Sequence, residues 1–126
     1  MSTQPVPSTM SDLGRPASGQ RIRRRSEFRR VLEDGNRLPQ RRVVVYVRPS
    51  GPATRAGFVC VRHVGGAVVR NRARRLLREA WQGVAPLVTA GYDIVFVARP
   101  QIREAKTREL MEEMTRALAA AGVIAE

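Results

Sequence analysis

Apolar residues fall at helical intervals in three places along the chain and in strand-like runs in three others. From Ser26 the spacing of Phe28, Val31 and Leu32 gives a short helix its apolar edge, with Ser26 as the expected N-cap and Asp34-Gly35 as the stop. Residues 42–48, Arg-Val-Val-Val-Tyr-Val-Arg, are β-branched and aromatic and run into Pro49-Ser50-Gly51-Pro52, which predicts a strand and then a loop. Alternation puts Val43, Val45 and Val47 on one side of that strand and Val44, Tyr46 and Arg48 on the other. A second strand is expected over 56–62, and its closeness to the first predicts an antiparallel pair. Gly65-Gly66 ends it.

On a helical wheel, residues 70–81 gather Ala73, Leu76, Leu77, Ala80 and, at the margin, Trp81 into one stripe, while Arg70, Arg74 and Arg78 line up one turn apart. Arg72 and Arg75 lie on a further flank. After Gly91, residues 92–99 are almost continuously apolar, as suits a central strand covered on both faces, and Pro100 ends the run. A last helix over 106–121 carries Leu110, Met111, Met114, Ala117, Leu118 and Ala121 at helical spacing, with acids early and Gly122 after its end. Residues 1–20 are rich in Ser, Pro, Gly and Thr without apolar period and read as a disordered tail, leaving 21–126 as one α+β domain built on a single mixed sheet.

Charge adds a partner to this outline. The chain carries 23 Lys and Arg against 11 Asp and Glu, a formal net charge of +12. The excess is concentrated: residues 21–78 hold 17 arginines against Glu27, Glu33 and Asp34, whereas 79–126 are slightly acidic. Such a field implies a polyanion, with nucleic acid the first expectation. All but one of the cations are arginine, which fits bidentate phosphate contacts and equally fits codon bias. Like charges four residues apart repel, so the Arg70, Arg74, Arg78 line costs stability unless an anion sits there. No run nears the roughly 20 apolar residues that span a bilayer, and no signal peptide opens the chain, so a cytoplasmic protein is expected.

Enzymatic chemistry finds little purchase. A nuclease in its own right wants carboxylates converging on paired metal ions. Here the acids of the last helix read as surface residues, Glu112 and Glu113 are adjacent and point apart, and Asp93 reads as a surface or turn carboxylate. One histidine, His63, and one cysteine, Cys60, leave no zinc set and no internal disulfide; His63 has no evident partner for base catalysis, and Cys60 reads as a small core residue. Phe28 and Tyr46 are candidates to stack on unpaired bases, with core packing the alternative for both. The arginine helix reads as a phosphate-binding face.

Residues 65–80, Gly-Gly-Ala-Val-Val-Arg-Asn-Arg-Ala-Arg-Arg-Leu-Leu-Arg-Glu-Ala, resemble the signature of the bacterial ribonuclease P protein component. Arg21-Ile-Arg-Arg-Arg-Ser-Glu-Phe28 is similar to that family's opening, Tyr46 falls in its first long strand, and residues 92–100 resemble its late central strand. The resemblance implies an accessory subunit of a ribonucleoprotein endonuclease. Catalytic RNA removes the 5′ leader of precursor tRNA, with Mg2+ held mainly by the RNA subunit and substrate and none by the protein alone. It implies a 1:1 complex with ribonuclease P RNA and contact with precursor tRNA, no membrane or protein partner, and no catalytic residue on this chain. Arg70, Asn71, Arg72, Arg74, Arg75 and Arg78 would meet the catalytic RNA, and Phe28, Leu32, Tyr46 and Arg62 would line a leader cleft between the first helix and the sheet. The implied order is α-β-β-(β)-α-β-α with a left-handed βαβ crossover, against the general rule. Where the family usually shows Ser-Lys-Lys and then Gly-Asn, this chain has Val61-Arg62-His63 and Gly65-Gly66. The alternative is a ribosomal or other structured-RNA-binding protein without a processing role; a DNA-binding regulator would need a partner helix and short turn before the basic helix.

Overall fold

The computed structural model describes residues 21–124, and the tail expected over 1–20 lies outside the described residues. Helices α1 (Arg25–Asp34), α2 (Ala67–Val84) and α3 (Thr107–Ala120) alternate with strands β1 (Asn36–Pro39), β2 (Val43–Pro49), β3 (Arg55–Val59) and β4 (Tyr92–Ala98). Short 3-10 turns stand at Arg62–Val64, Ala85–Leu87 and Pro100–Glu104. The strands make one mixed sheet in the order β1-β2-β4-β3.

The antiparallel pair expected between 42–48 and 56–62 does not form, because β4 inserts between them. It pairs antiparallel with β2, from Val43↔Ala98 to Pro49↔Tyr92, and parallel with β3, from Arg55↔Asp93 to Val59↔Val97. The physical reason lies in β4 itself: Ile94, Val95 and Phe96 are all fully buried, and a strand apolar on both faces belongs in the interior of the sheet. The helix α2 then carries the chain back so that β3 and β4 run the same way. A further short strand, β1, pairs its Asn36–Pro39 with Val44 to Val47 at the sheet edge, where a proline is tolerated.

Strand parity sorts the two faces as the alternation predicts. Val43, Val45 and Val47 sink under α2 and α3 into the larger core with Leu77, Phe96, Ile102 and Leu118. Trp81, expected at the margin of its helix, is also part of this core, its ring 5.4 Å from Phe96. The helix is longer than its 70–81 outline because Val69 and Val84 extend the apolar stripe at both ends. On the opposite face α1 sets Val31 against Ile22 and Val95, with Phe28, Tyr46, Val59 and Val97 half-buried around them.

Three charged positions depart from their expected places. The cap of α1 is Arg24 and not Ser26, and the Glu27 carboxylate in the first turn reaches back to accept the Arg24 N–H at 3.2 Å, next to the helix's positive end. Asp93 is buried, because Arg55 stands opposite it across the β3–β4 register and closes a two-pronged pair at 3.0 and 2.9 Å. The same guanidinium reaches Glu27 at 3.0 Å, tying the first turn of α1 to the sheet. Glu113 is buried as well, accepting the Arg42 backbone N–H at 2.8 Å and its guanidinium at 2.6 Å.

The Arg55 guanidinium, then the Arg24 N–H, hold the Glu27 carboxyl below its ordinary value of 4.5. A carboxyl lowered by folding stabilises the fold above its unfolded pKa and loses that contribution as pH falls through the folded one. Unfolding followed from neutral pH to about pH 3 is therefore expected to show an acid limb that Glu27→Gln flattens.

Candidate nucleic-acid interface

Gly66 caps α2 in extended backbone, no acidic residue stands in the first turn, and the helix's positive end adds to its arginines. With Ala73, Leu77, Ala80, Trp81 and Val84 turned into the core, the polar positions divide. Arg70, Arg74 and Arg78 are half-buried along one flank. There the Arg70 guanidinium donates to the Gly65 carbonyl at 3.0 Å and Arg74 donates to Asn71 Oδ1 at 2.6 Å. Burial pushes the nearby Cys60 thiol up, while Arg74 and Arg70 pull it the other way, so this flank borders the exit of β3. Arg75 and Asn71 are exposed.

Arg72 leans to the far side of the helix. It donates to the carbonyls of Arg103 at 3.1 Å and Ala105 at 3.4 Å, pinning the 3-10 turn at Pro100–Glu104 against α2. That corner opens into a cavity of about 840 Å³ that Arg41, Val68 and Arg103 also line. The six residues grouped by the family likeness thus occupy two flanks and an outer edge. Among the described residues none of the α2 arginines is ion-paired with a carboxylate, whereas Arg42, Arg48 and Arg55 all are.

The second surface is a groove beside α1. The register sets Arg37, Tyr46, Val95 and Gly57 side by side in one row across the sheet, with Pro39, Val44, Val97 and Val59 in the next. Phe28 lies directly on Gly57: a Cβ there would collide with its ring. Leu32, one turn further along α1, is 38% exposed, and Val61 beyond β3 is 39% exposed. Phe28 and Tyr46 therefore serve both alternatives, each packing on Val95's cluster with part of its ring left open. Arg62 is exposed in the 3-10 turn after β3, outside this cluster. Three groove residues were missed from sequence. Val59 and Val97 carry a parity signal that would have found them, while Arg37, whose Nε donates to the Tyr46 hydroxyl at 3.3 Å, sits on a strand too short to show a pattern.

Because Phe28 fills the space above Gly57, Gly57→Ala is expected to drive the ring aside at an overpacking cost of about 1–3 kcal/mol, measurable by urea unfolding. The same variant should lower any affinity that depends on Phe28 without removing a charge.

No group of three or more His, Cys, Asp and Glu side chains gathers among the described residues. The two buried carboxylates, Asp93 and Glu113, are each held by arginine. No helix among the described residues is long and apolar enough to cross a membrane.

The family model described as Ribonuclease P matches residues 17–122. A ribonuclease P protein component from Chloroflexus aurantiacus is 44% identical over 97 residues, covering 75% of this chain and 72% of the relative. One from Acidothermus cellulolyticus is 44% identical over 101 residues, covering 78% and 84%. Among solved structures, the RNase P protein of Staphylococcus aureus superposes with a TM-score of 0.72 at 26% identity, covering 83% of this chain and 97% of that one. The RNase P protein from Thermotoga maritima gives 0.71 at 26%, covering 80% and 96%.

Proposed function

Because the chain belongs to the ribonuclease P protein family, we propose that its two surfaces divide the work of tRNA 5′ maturation between them. It is a subunit of the ribonuclease P holoenzyme and a partner of the ribonuclease P RNA. On our reading, residues 21–126 are the RNA-binding domain, working in the cytoplasm. The α2 arginines with Asn71 mount it on the RNA, and the groove of Phe28, Leu32 and Tyr46, with Arg62 nearby, takes the single-stranded 5′ leader of precursor tRNA.

One observation carries this division: the arginines of α2 gather on one helix and none is ion-paired with a carboxylate among the described residues, whereas Arg42, Arg48 and Arg55 are each paired within the fold. An unpaired cationic helix gains most from polyanion binding, since each phosphate it neutralises releases a counterion. The groove supplies a different term, because half-open aromatic faces stack on bases of any sequence, worth about 1–3 kcal/mol each. Magnesium and the attacking water belong to the RNA and substrate in this reading. The protein adds leader affinity and screens the repulsion between two RNAs.

Binding of the holoenzyme to precursor tRNAs with long and with trimmed leaders tests the division. The protein is expected to favour the long leader. Its affinity for the RNA subunit should fall steeply with salt, as about 5 to 8 phosphate contacts at a slope of about −0.7 to −0.9 each require. Equal gains for both leaders, or an affinity indifferent to salt, would overturn it.

A further inference from the structure

We propose that Arg37 is a specificity-determining residue of the leader groove, which fixes the Tyr46 hydroxyl as a hydrogen-bond donor toward the leader. The inference rests on the groove being the leader's seat. Arg37 Nε donates to the Tyr46 oxygen at 3.3 Å, and a guanidinium has no acceptor and keeps its protons at any physiological pH. The polarity of the pair is therefore set. The phenol oxygen accepts from Arg37, and its own proton must point elsewhere, where no acceptor takes it among the described residues. A group docking there must offer an acceptor: a carbonyl oxygen or ring nitrogen of a base, or a phosphate oxygen.

The surroundings single Arg37 out. On the same face of the sheet, Arg48 lies 3.9 Å from Asp34 and Arg55 is spent on Asp93 and Glu27. Arg37 is exposed on the edge strand and is in no ion pair among the described residues, so its terminal nitrogens face solvent with their charge uncompensated. In the row Arg37, Tyr46, Val95, Gly57, the strand spacing separates Arg37 from the Phe28 ring over Gly57 by about 14 Å. Val95 is buried beneath α1, so a single strand following that row meets the half-open Phe28 ring, the directed Tyr46 hydroxyl and the Arg37 cation in turn. The groove is thereby one strand wider than Phe28, Leu32 and Tyr46 alone describe.

The test uses holoenzyme reconstituted with Arg37→Ala, Arg37→Lys, Tyr46→Phe and the Arg37→Ala/Tyr46→Phe double variant, and precursors with a long and a one-nucleotide leader. Arg37→Ala and Tyr46→Phe are each expected to weaken long-leader binding about five- to tenfold. The double variant should lose clearly less than the product of the two, because either change breaks the same pair. Arg37→Lys should recover the salt-dependent part only. Abasic and methylphosphonate substitutions along the leader identify the acceptor. One kind should weaken the wild type at a single position and leave both single variants indifferent there. Equal loss for both leader lengths, or independent effects in the double variant, would overturn the proposal by reducing Arg37 to general charge. If wild-type holoenzyme does not distinguish the leaders at all, the groove's assignment fails, and this one with it.

Discussion

Replacing Arg70, Arg74 and Arg78 together by alanine is expected to weaken binding to ribonuclease P RNA by about two to three orders of magnitude at moderate salt. The salt dependence should flatten by about 0.7–0.9 in slope per arginine lost. The three share one flank of α2, away from the packed stripe, and none is ion-paired with a carboxylate among the described residues. Alanine there removes repulsion between like charges one turn apart, roughly 0.2–0.5 kcal/mol per pair, which offsets the loss of the Arg70 bond to the Gly65 carbonyl, so thermal stability should change little. Arg72→Ala should behave differently, because its bonds to the Arg103 and Ala105 carbonyls hold a turn in place, and stability should fall with affinity. Titrations across a salt series, with melting curves for each variant, separate the two. A triple variant that unfolds would make that flank structural and remove it from the proposed mount.

Asp93→Ala carries the largest expected cost in stability. Asp93 is 4% exposed and accepts two bonds from Arg55, so its removal leaves a partly desolvated guanidinium with Glu27 as its one remaining carboxylate partner among the described residues. Breaking a buried pair from one side costs about 3–5 kcal/mol, and because Arg55 keeps 28% of its side-chain surface the lower end applies. Against a total stability of about 5–15 kcal/mol that is a large share, readable as a drop in urea midpoint. Arg55 also holds Glu27, so the loss should loosen α1 and weaken leader binding more than RNA-subunit binding. Equal loss at both surfaces would show that α1 does not depend on this link.

What could be read in the sequence follows physical lines. The alternation of residues 43–48 places Val43, Val45 and Val47 in one core and Tyr46 in the other, because period two admits no other solution once one face is buried. The α2 stripe is equally legible, since Leu77 and Ala80 leave the arginines only the remaining faces. Pairing was not legible: nothing in residues 42–62 announces that a strand thirty residues later will enter between them, although β4's apolar run announces an interior strand. Nor could composition tell which arginines are spent inside the protein. Arg42, Arg55 and Arg72 look like their neighbours in sequence and differ only in what the fold brings to them. Asp93 and Glu113 are the same case with the opposite sign.

The most direct test of the central claim mixes the protein with its cognate ribonuclease P RNA and a 5′-extended precursor tRNA at low magnesium and follows leader release, with protein-alone and RNA-alone controls. Cleavage that requires the RNA and is stimulated by the protein is the predicted result. Cleavage by the protein alone, or a rate that the protein leaves unchanged, would contradict it.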